Sequence, residues 1–308
     1  MKKKILTVSS ANIDLVSNVS LFPKAGQTVI EKRGYTYLPG GKGANSAVAV
    51  ARLGGESVFC AAMGDDSNGK ALLALYNNEG IDTTHLSLLS DYPTGLAAVM
   101  VGDDGNNRII VYPGANLHIP AEKITEALDT TPDALFMQLE TAPETVVFAA
   151  NEAAKRGIPV FIDAGPADRE FPLASLPTLE VFSPNESETE IFTGIKPTDD
   201  ASCEKAAKAL ARLVHSHYYV IKLGGRGCYI TDLACSLTVP TFPGEVVDTT
   251  AAGDSFTAAL TLEYLRTGNI ATAARYANAV GTLVVGKNGA APSIPTASEV
   301  CAFLKAFS

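Results

Sequence analysis

Residues 134–162 read ALFMQLETAPETVVFAANEAAKRGIPVFI. Two short apolar runs, Ala134–Met137 and Pro159–Ile162, enclose a stretch of helical character over 143–155. Continuous apolar runs of this length mark strands buried on both faces, and a helix between two of them makes a parallel crossover unit. The same rhythm extends outward. A helix is expected over 121–128, a strand at Leu179–Phe182, a helix over 199–214, and a strand at Tyr218–Leu223 that runs into Gly224-Gly225-Arg226-Gly227. Two short strands follow to about Pro240, and the remainder reads as helices over 252–266, 270–285 and 296–307.

Toward the N-terminus, Ile5–Val8 is a buried strand ending in the polar tip Ser9-Ser10-Ala11-Asn12-Ile13-Asp14. Tips of this kind hold ligands in α/β sheets. Helices over 43–53 and 68–78 flank a strand at Val58–Ala61. Residues 19–38 scatter Phe22, Val29, Ile30, Tyr35 and Tyr37 among Pro23, Gly26 and charges, which predicts short strands of a small separate sheet. Strands near 96–101 and 108–112 rejoin it. The expectation is one α/β domain over 1–308, with a lid-like sheet from about 15–39 and 95–113.

Composition narrows the function. The 308 residues are 46% hydrophobic and 19% charged, enough to bury a large core in a compact soluble chain. With 24 basic and 33 acidic residues the net charge is −9, which argues against a nucleic-acid partner. Cys60, Cys203, Cys228, Cys235 and Cys301 are scattered and never form C-x-x-C, so neither a disulfide framework nor a metal cluster is expected. No apolar run reaches the roughly 18 residues of a membrane span, and the run after Lys2–Lys4 is broken at once by Ser9 and Ser10. A cytoplasmic protein without a membrane partner is expected.

Two glycine-bearing segments hold the chemistry. Asp248-Thr249-Thr250-Ala251-Ala252-Gly253-Asp254 stands directly before a periodic apolar run starting at Phe256. Small residues at a helix start let the N–H groups of Ala251, Ala252 and Gly253 face an anion. Asp254, ionised by the helix dipole, is placed to take a proton from an attacking hydroxyl beside a transferring phosphoryl group. Read alone, Asp254 is equally an acid that complements a helix dipole, and Asp248 a turn residue. The second segment is Gly40-Gly41-Lys42-Gly43-Ala44-Asn45, another helix start. It fits neither G-x-x-x-x-G-K-[ST] nor G-x-G-x-x-G. Lys42 and Asn45 offer donors to sugar hydroxyls or an anion.

Together with Asn12-Ile13-Asp14, Pro184-Asn185-Glu186-Ser187-Glu188 and Lys222–Gly227, these segments resemble, in order and over essentially the whole chain, the signatures of the PfkB family of carbohydrate kinases, most closely its ribokinase branch. The resemblance implies a ribokinase-like three-layer α/β/α fold with a mostly parallel central sheet and a small β-sheet lid. It implies an ATP-dependent kinase for the primary hydroxyl of a pentose, with ribose at O5 preferred. By position, Asn12, Asp14, Gly41, Lys42, Asn45 and Glu140 would contact the sugar. Asp254 would be the base, with Ala251, Ala252 and Gly253 as the anion hole. Asn185, Lys222, Gly224, Gly225, Gly227, Gly253 and Asn278 would bind ATP, and Glu188 would act on Mg2+ through water. Asp248, Thr250, Val284, Lys287, Gly289 and Ser293 match the positions that hold K+ in this branch, mostly through carbonyls.

The chain departs from the branch at Lys222, where threonine or serine is expected, and at Asn278, which replaces a frequent histidine. Deoxyribose, a nucleoside, fructose or its phosphate, or a keto-sugar acid are the alternative substrates, and a non-catalytic sugar-binding regulator is the alternative of another class. A homodimer through the lid is expected because an exposed strand edge invites pairing. His215-Ser216-His217 reads as a solvated helix end rather than a metal pair, and Cys228 as a small buried residue.

Overall fold

The computed structural model describes residues 2–103 and 106–307. In chain order the elements are β1 (Lys4–Val8), β2 (Asn12–Val19), β3 (Tyr35–Gly40), α1 (Lys42–Arg52), β4 (Glu56–Cys60), β5 (Ala62–Gly64), α2 (Ser67–Asn78), β6 (Ser87–Leu89), β7 (Gly95–Gly102), β8 (Asn107–Tyr112), α3 (Ala121–Asp129), β9 (Ala134–Met137), α4 (Pro143–Lys155), β10 (Val160–Asp163), β11 (Leu179–Ser183), α5 (Glu186–Thr193), α6 (Asp200–Leu210), β12 (Ser216–Lys222), β13 (Cys228–Thr231), β14 (Ser236–Val239), α7 (Ala252–Thr267), α8 (Ile270–Val285) and α9 (Ala297–Lys305).

The central sheet has the order β14-β13-β12-β11-β10-β9-β1-β4. Its strands from β12 to β4 pair in parallel, and β13 and β14 add an antiparallel edge. Successive strand residues face opposite sides, and each side has its own core. Phe136, Phe161, Val181 and Val220 pack with residues of α1, α7 and α8. Leu135, Met137, Ile162, Phe182 and Ile221 pack with α3, α4 and α6. The result is the expected three-layer architecture. From β1 the chain crosses to β4 on one side and later to β9 on the other, so the crevice of a topological switch point opens at the C-terminal ends of β1 and β9.

A separate four-stranded sheet has the order β3-β2-β7-β8. The tip after β1 is itself structured, because Asn12–Asp14 begin β2 and pair with both β3 and β7. Asp14 is thus fixed by backbone bonds on two sides rather than carried on a loop. Residues 20–34, expected to hold short strands, form none. The 199–214 helix is shorter, α6, and is preceded by the unforeseen α5, which Asn185 starts and Gly194 stops with φ 72. Ser216 and His217 open β12 instead of ending a helix. The β5–β6 pair was likewise unforeseen.

Candidate active site

Helix α1 begins where the two sheets meet. Gly41 has φ 91, and a Cβ there would lie 2.7 Å from the Asn12 backbone nitrogen, so this position requires glycine. The first turn of α1 has no acid of its own. Glu140, just beyond β9, fills that role, with Oε2 accepting the Lys42 N–H at 3.0 Å and a short bond from Ser10 Oγ. Asn12 is buried, and its Oδ1 accepts from Asn116 Nδ2 at 2.7 Å.

The turn at 248–254 meets this helix directly. Asn45 Nδ2 donates to Asp254 Oδ2 at 2.9 Å, and Lys42 Nζ lies 3.8 Å from Asp254 Oδ1. Gln138 Nε2 donates to Ser46 Oγ at 2.7 Å, and Ser46 donates in turn to the Asp254 carbonyl at 3.3 Å. Two segments some 210 residues apart in sequence therefore share one buried polar network. Asp254 and Glu140 act on the ammonium of Lys42, and both also act on the Asp14 carboxyl. Burial, followed by Glu140 and Asp254, raises the Asp14 carboxyl to about 6. Burial also raises Asp254, against the pull of Lys42. Asp254 in turn is the main reason that Lys42 holds its proton more tightly than usual. A buried carboxylate of raised pKa is suited to proton acceptance.

Ala251, the N-cap of α7, adopts the left-handed conformation with φ 62. Asp254 falls in the first turn that follows. One expectation is corrected here: the Ala252 N–H is not free, because the turn closes by donating it to Thr249 O at 3.3 Å. Among the described residues, the N–H groups of Ala251 and Gly253 have no such acceptor.

Beside Gly253 lies a cavity of about 420 Å³, lined among others by Lys222, Gly224, Gly225, Gly227, Phe242, Val246, Asn278 and Val285. A Cβ on Gly227, at φ 91, would collide with the Val239 carbonyl, so the glycine turn must remain bare. Lys222 reaches into the space before Gly253 and forms a short, buried ion pair with Asp163. Asp163 also accepts from Thr257 Oγ1 at 2.5 Å and from the Gly165 N–H at 3.2 Å. Asp163, Thr257 and Gln138 escaped the reading of the sequence. For Asp163 a signal existed, a carboxylate ending the apolar run Val160–Ile162 at a strand tip.

Asn185 and Glu188 form a capping box on α5, with Glu188 Oε2 accepting the Asn185 N–H at 2.7 Å and Asn185 Oδ1 accepting the Glu188 N–H at 2.8 Å. Burial raises the Glu188 carboxyl, opposed by Lys222. Asn278 lines the cavity while its Nδ2 is spent on the carbonyls of Val239 and Pro240, at 3.0 and 3.2 Å.

Behind the 248–254 turn, Asp248 Oδ1 accepts from Thr250 N and Oγ1 at 2.9 and 2.7 Å, and Oδ2 from Gly289 N at 2.9 Å. Burial works against the Asp248 charge, but these bonds outweigh it and hold its carboxyl below the usual range. Val284 O accepts from Lys287 N at 3.1 Å, Lys287 Nζ pairs with Glu299 at 3.1 Å, and Ser293 Oγ donates to Ala290 O at 2.7 Å.

A model of the pfkB family carbohydrate kinases matches residues 2–297. The chain is 36% identical to a ribokinase of Haemophilus influenzae over 99% of each chain, and 29% identical to a deoxyribokinase of Salmonella typhi over 97% of this chain and 98% of that one. The solved structure of Arabidopsis thaliana ribokinase complexed with ribose and ATP superposes with a TM-score of 0.91 at 30% identity, over 99% of each chain.

Proposed function

The chain belongs to the pfkB family of carbohydrate kinases, and from that premise we propose that it transfers the terminal phosphoryl group of ATP to the primary hydroxyl of ribose, yielding ribose 5-phosphate. It is a phosphotransferase with an alcohol as acceptor. One observation supports this reading above others: Asp254 is bonded to Asn45 and Lys42 on one side, and on the other its helix start opens onto the glycine-walled cavity.

The sugar lies among Asn12, Asp14, Gly41, Lys42, Asn45 and Glu140. Carboxylates accept from vicinal hydroxyls and amides both donate and accept, so an analogue that lacks one hydroxyl leaves a buried partner unpaired. Asp254 takes the proton of the O5 hydroxyl as the O5–phosphorus bond forms and the bond from phosphorus to the bridging oxygen of ADP breaks. The N–H groups of Ala251 and Gly253 face the charge that develops on the transferring group, at the start of a helix that favours it. Ala252 supports the turn.

ATP occupies the cavity along Lys222, Gly224, Gly225 and Gly227, with its base toward Asn278 and its phosphates toward Gly253. Asn185 orders the neighbouring helix start. Mg2+ suits Glu188, a buried carboxylate with Asp163 close by, because this ion keeps much of its water and needs few protein ligands. It would supply charge neutralisation of the phosphates. K+ suits the oxygen-only set of Asp248, Thr250, Val284, Lys287, Gly289 and Ser293, where Asp248 already joins the two loops. It would order the anion-hole turn. The small sheet serves as the lid, and the protein is cytoplasmic and a homodimer through that sheet.

A coupled assay for ADP release over a panel of ribose, deoxyribose, fructose and nucleosides tests the substrate. Ribose is expected to give the highest kcat/KM, and deoxyribose ahead of ribose would reassign it. Asp254→Asn is expected to lose about 10² to 10⁴ in kcat with sugar binding retained. Most activity surviving in that variant would refute the proposed base.

A further inference from the structure

Helix α1 has 11 residues and is therefore about 16 Å long. Its first turn carries Lys42 and Asn45, which hold Asp254. Its last residue, Arg52, sits at the other end and belongs to no part of the site described so far. Two of its guanidinium nitrogens grip Glu79 at the end of α2, Nε at 2.8 Å and Nη2 at 2.5 Å. The third, Nη1, donates to two backbone carbonyls of the 289–294 loop, Ala291 O at 2.7 Å and Ile294 O at 2.9 Å. A planar fork held by a carboxylate on one edge has little freedom left on the other, so the loop is fixed relative to α1.

That loop does not end in solvent. Gly289, two residues before Ala291, donates its N–H to Asp248 Oδ2, and Asp248 Oδ1 accepts from Thr250 N and Oγ1. Thr250 directly precedes the turn Ala251–Gly253. One helix therefore reaches the 248–254 turn by two routes, directly at Asp254 through Lys42 and Asn45, and indirectly through Arg52, whose loop partner Gly289 bonds Asp248.

We propose that Arg52, oriented by Glu79, is a positioning residue for phosphoryl transfer. It sets the register of the Ala251–Gly253 amides against Asp254 by clamping the 289–294 loop to the helix that also carries Lys42 and Asn45. The inference rests on the reading that this turn receives the phosphoryl group. Because Arg52 touches neither sugar nor nucleotide, its loss acts on kcat and leaves the KM for ribose in place.

The test compares Arg52→Gln and Arg52→Lys with a control at the same end of α1. Arg266 Nη2 donates to Leu53 O at 3.0 Å but does not reach the loop, so Arg266→Gln removes a contact of similar kind outside the proposed route. Steady-state kinetics with ribose and MgATP are read together with amide exchange of the 286–295 segment. In Arg52→Gln, kcat is expected to fall at least tenfold with the ribose KM within twofold of the parent, and exchange over 286–295 to accelerate. Arg52→Lys, which keeps the charge and at most part of the fork, is expected to fall between. Arg266→Gln is expected to keep its kcat. If Arg52→Gln does not fold, Arg52→Lys carries the comparison. A kcat within twofold of the parent despite faster loop exchange would overturn the proposal, as would an equal loss in Arg266→Gln. A parent enzyme that releases no ADP with any sugar would instead overturn the proposed function itself.

Discussion

Burial and two neighbouring carboxylates raise the Asp14 carboxyl to about 6, which links the occupancy of its pocket to pH. A carboxylate that accepts two hydroxyls is held ionised, so sugar binding releases a proton wherever the free site is protonated. Ribose affinity is therefore expected to be flat above pH 6 and to weaken as pH falls below it, by up to about tenfold per unit. Calorimetric titration with ribose alone between pH 5 and 8 measures this, and a flat profile would place Asp14 outside the sugar site. The same raised value acts on folding with a definite sign. The folded chain binds more protons at Asp14 than the unfolded one between pH 3.8 and about 6, so this group's contribution falls as pH rises through that window and stays unfavourable above it. Asp14→Asn is expected to stabilise the ligand-free protein at pH 7 by up to about 3 kcal/mol while abolishing sugar affinity. Ala251 carries strain of another kind, since a left-handed alanine costs about 1–2 kcal/mol.

At the scale of elements, the two helix starts use glycine differently. At Gly41 a side chain meets the Asn12 backbone, whereas a Cβ on Gly253 has as its nearest neighbour Lys222 Nζ, at 3.8 Å. Gly41→Ala is expected to destabilise the fold by about 1–3 kcal/mol. Gly253→Ala is expected to melt within a few degrees of the parent and yet lose about 10² to 10³ in kcat, because its methyl group fills the approach to the anion hole. Thermal melts run beside the kinetics separate the two. Both segments were legible in the sequence, since glycine and charge chemistry at a helix start is local and depends on few neighbours. The layered fold was legible for a similar reason, as Ala134–Met137 and Pro159–Ile162 are apolar on both faces. What escaped was long-range pairing. Nothing near Asp163 announces Lys222, and nothing near Arg52 announces Ala291, because those bonds form only after strands and helices stack. Helix α5 escapes because Asn185 and Glu188 read as ligand chemistry in the sequence and are also a capping box.

Across the whole molecule, the small sheet leaves much apolar surface uncovered. Tyr35 and Tyr37 on the edge strand β3 and Ile109, Ile110, Val111 and Tyr112 on β8 at the opposite edge are all exposed. Sedimentation equilibrium is expected to give twice the 32.1 kDa of one chain, and Ile109→Lys with Val111→Lys to shift it toward the single chain. A single-chain mass for the parent would remove the dimer. The cavity beside Gly253 has a different distribution of charge. Among the described residues that line it, Lys222 alone is charged, and it is buried and neutralised by Asp163. Surface lysines that attract polyphosphates from a distance lose their pull as added electrolyte shortens the Debye length. On the proposed reading the triphosphate would meet fixed amides at contact range instead, so raising potassium chloride from about 0.1 M to about 0.5 M should leave the KM for MgATP nearly where it was.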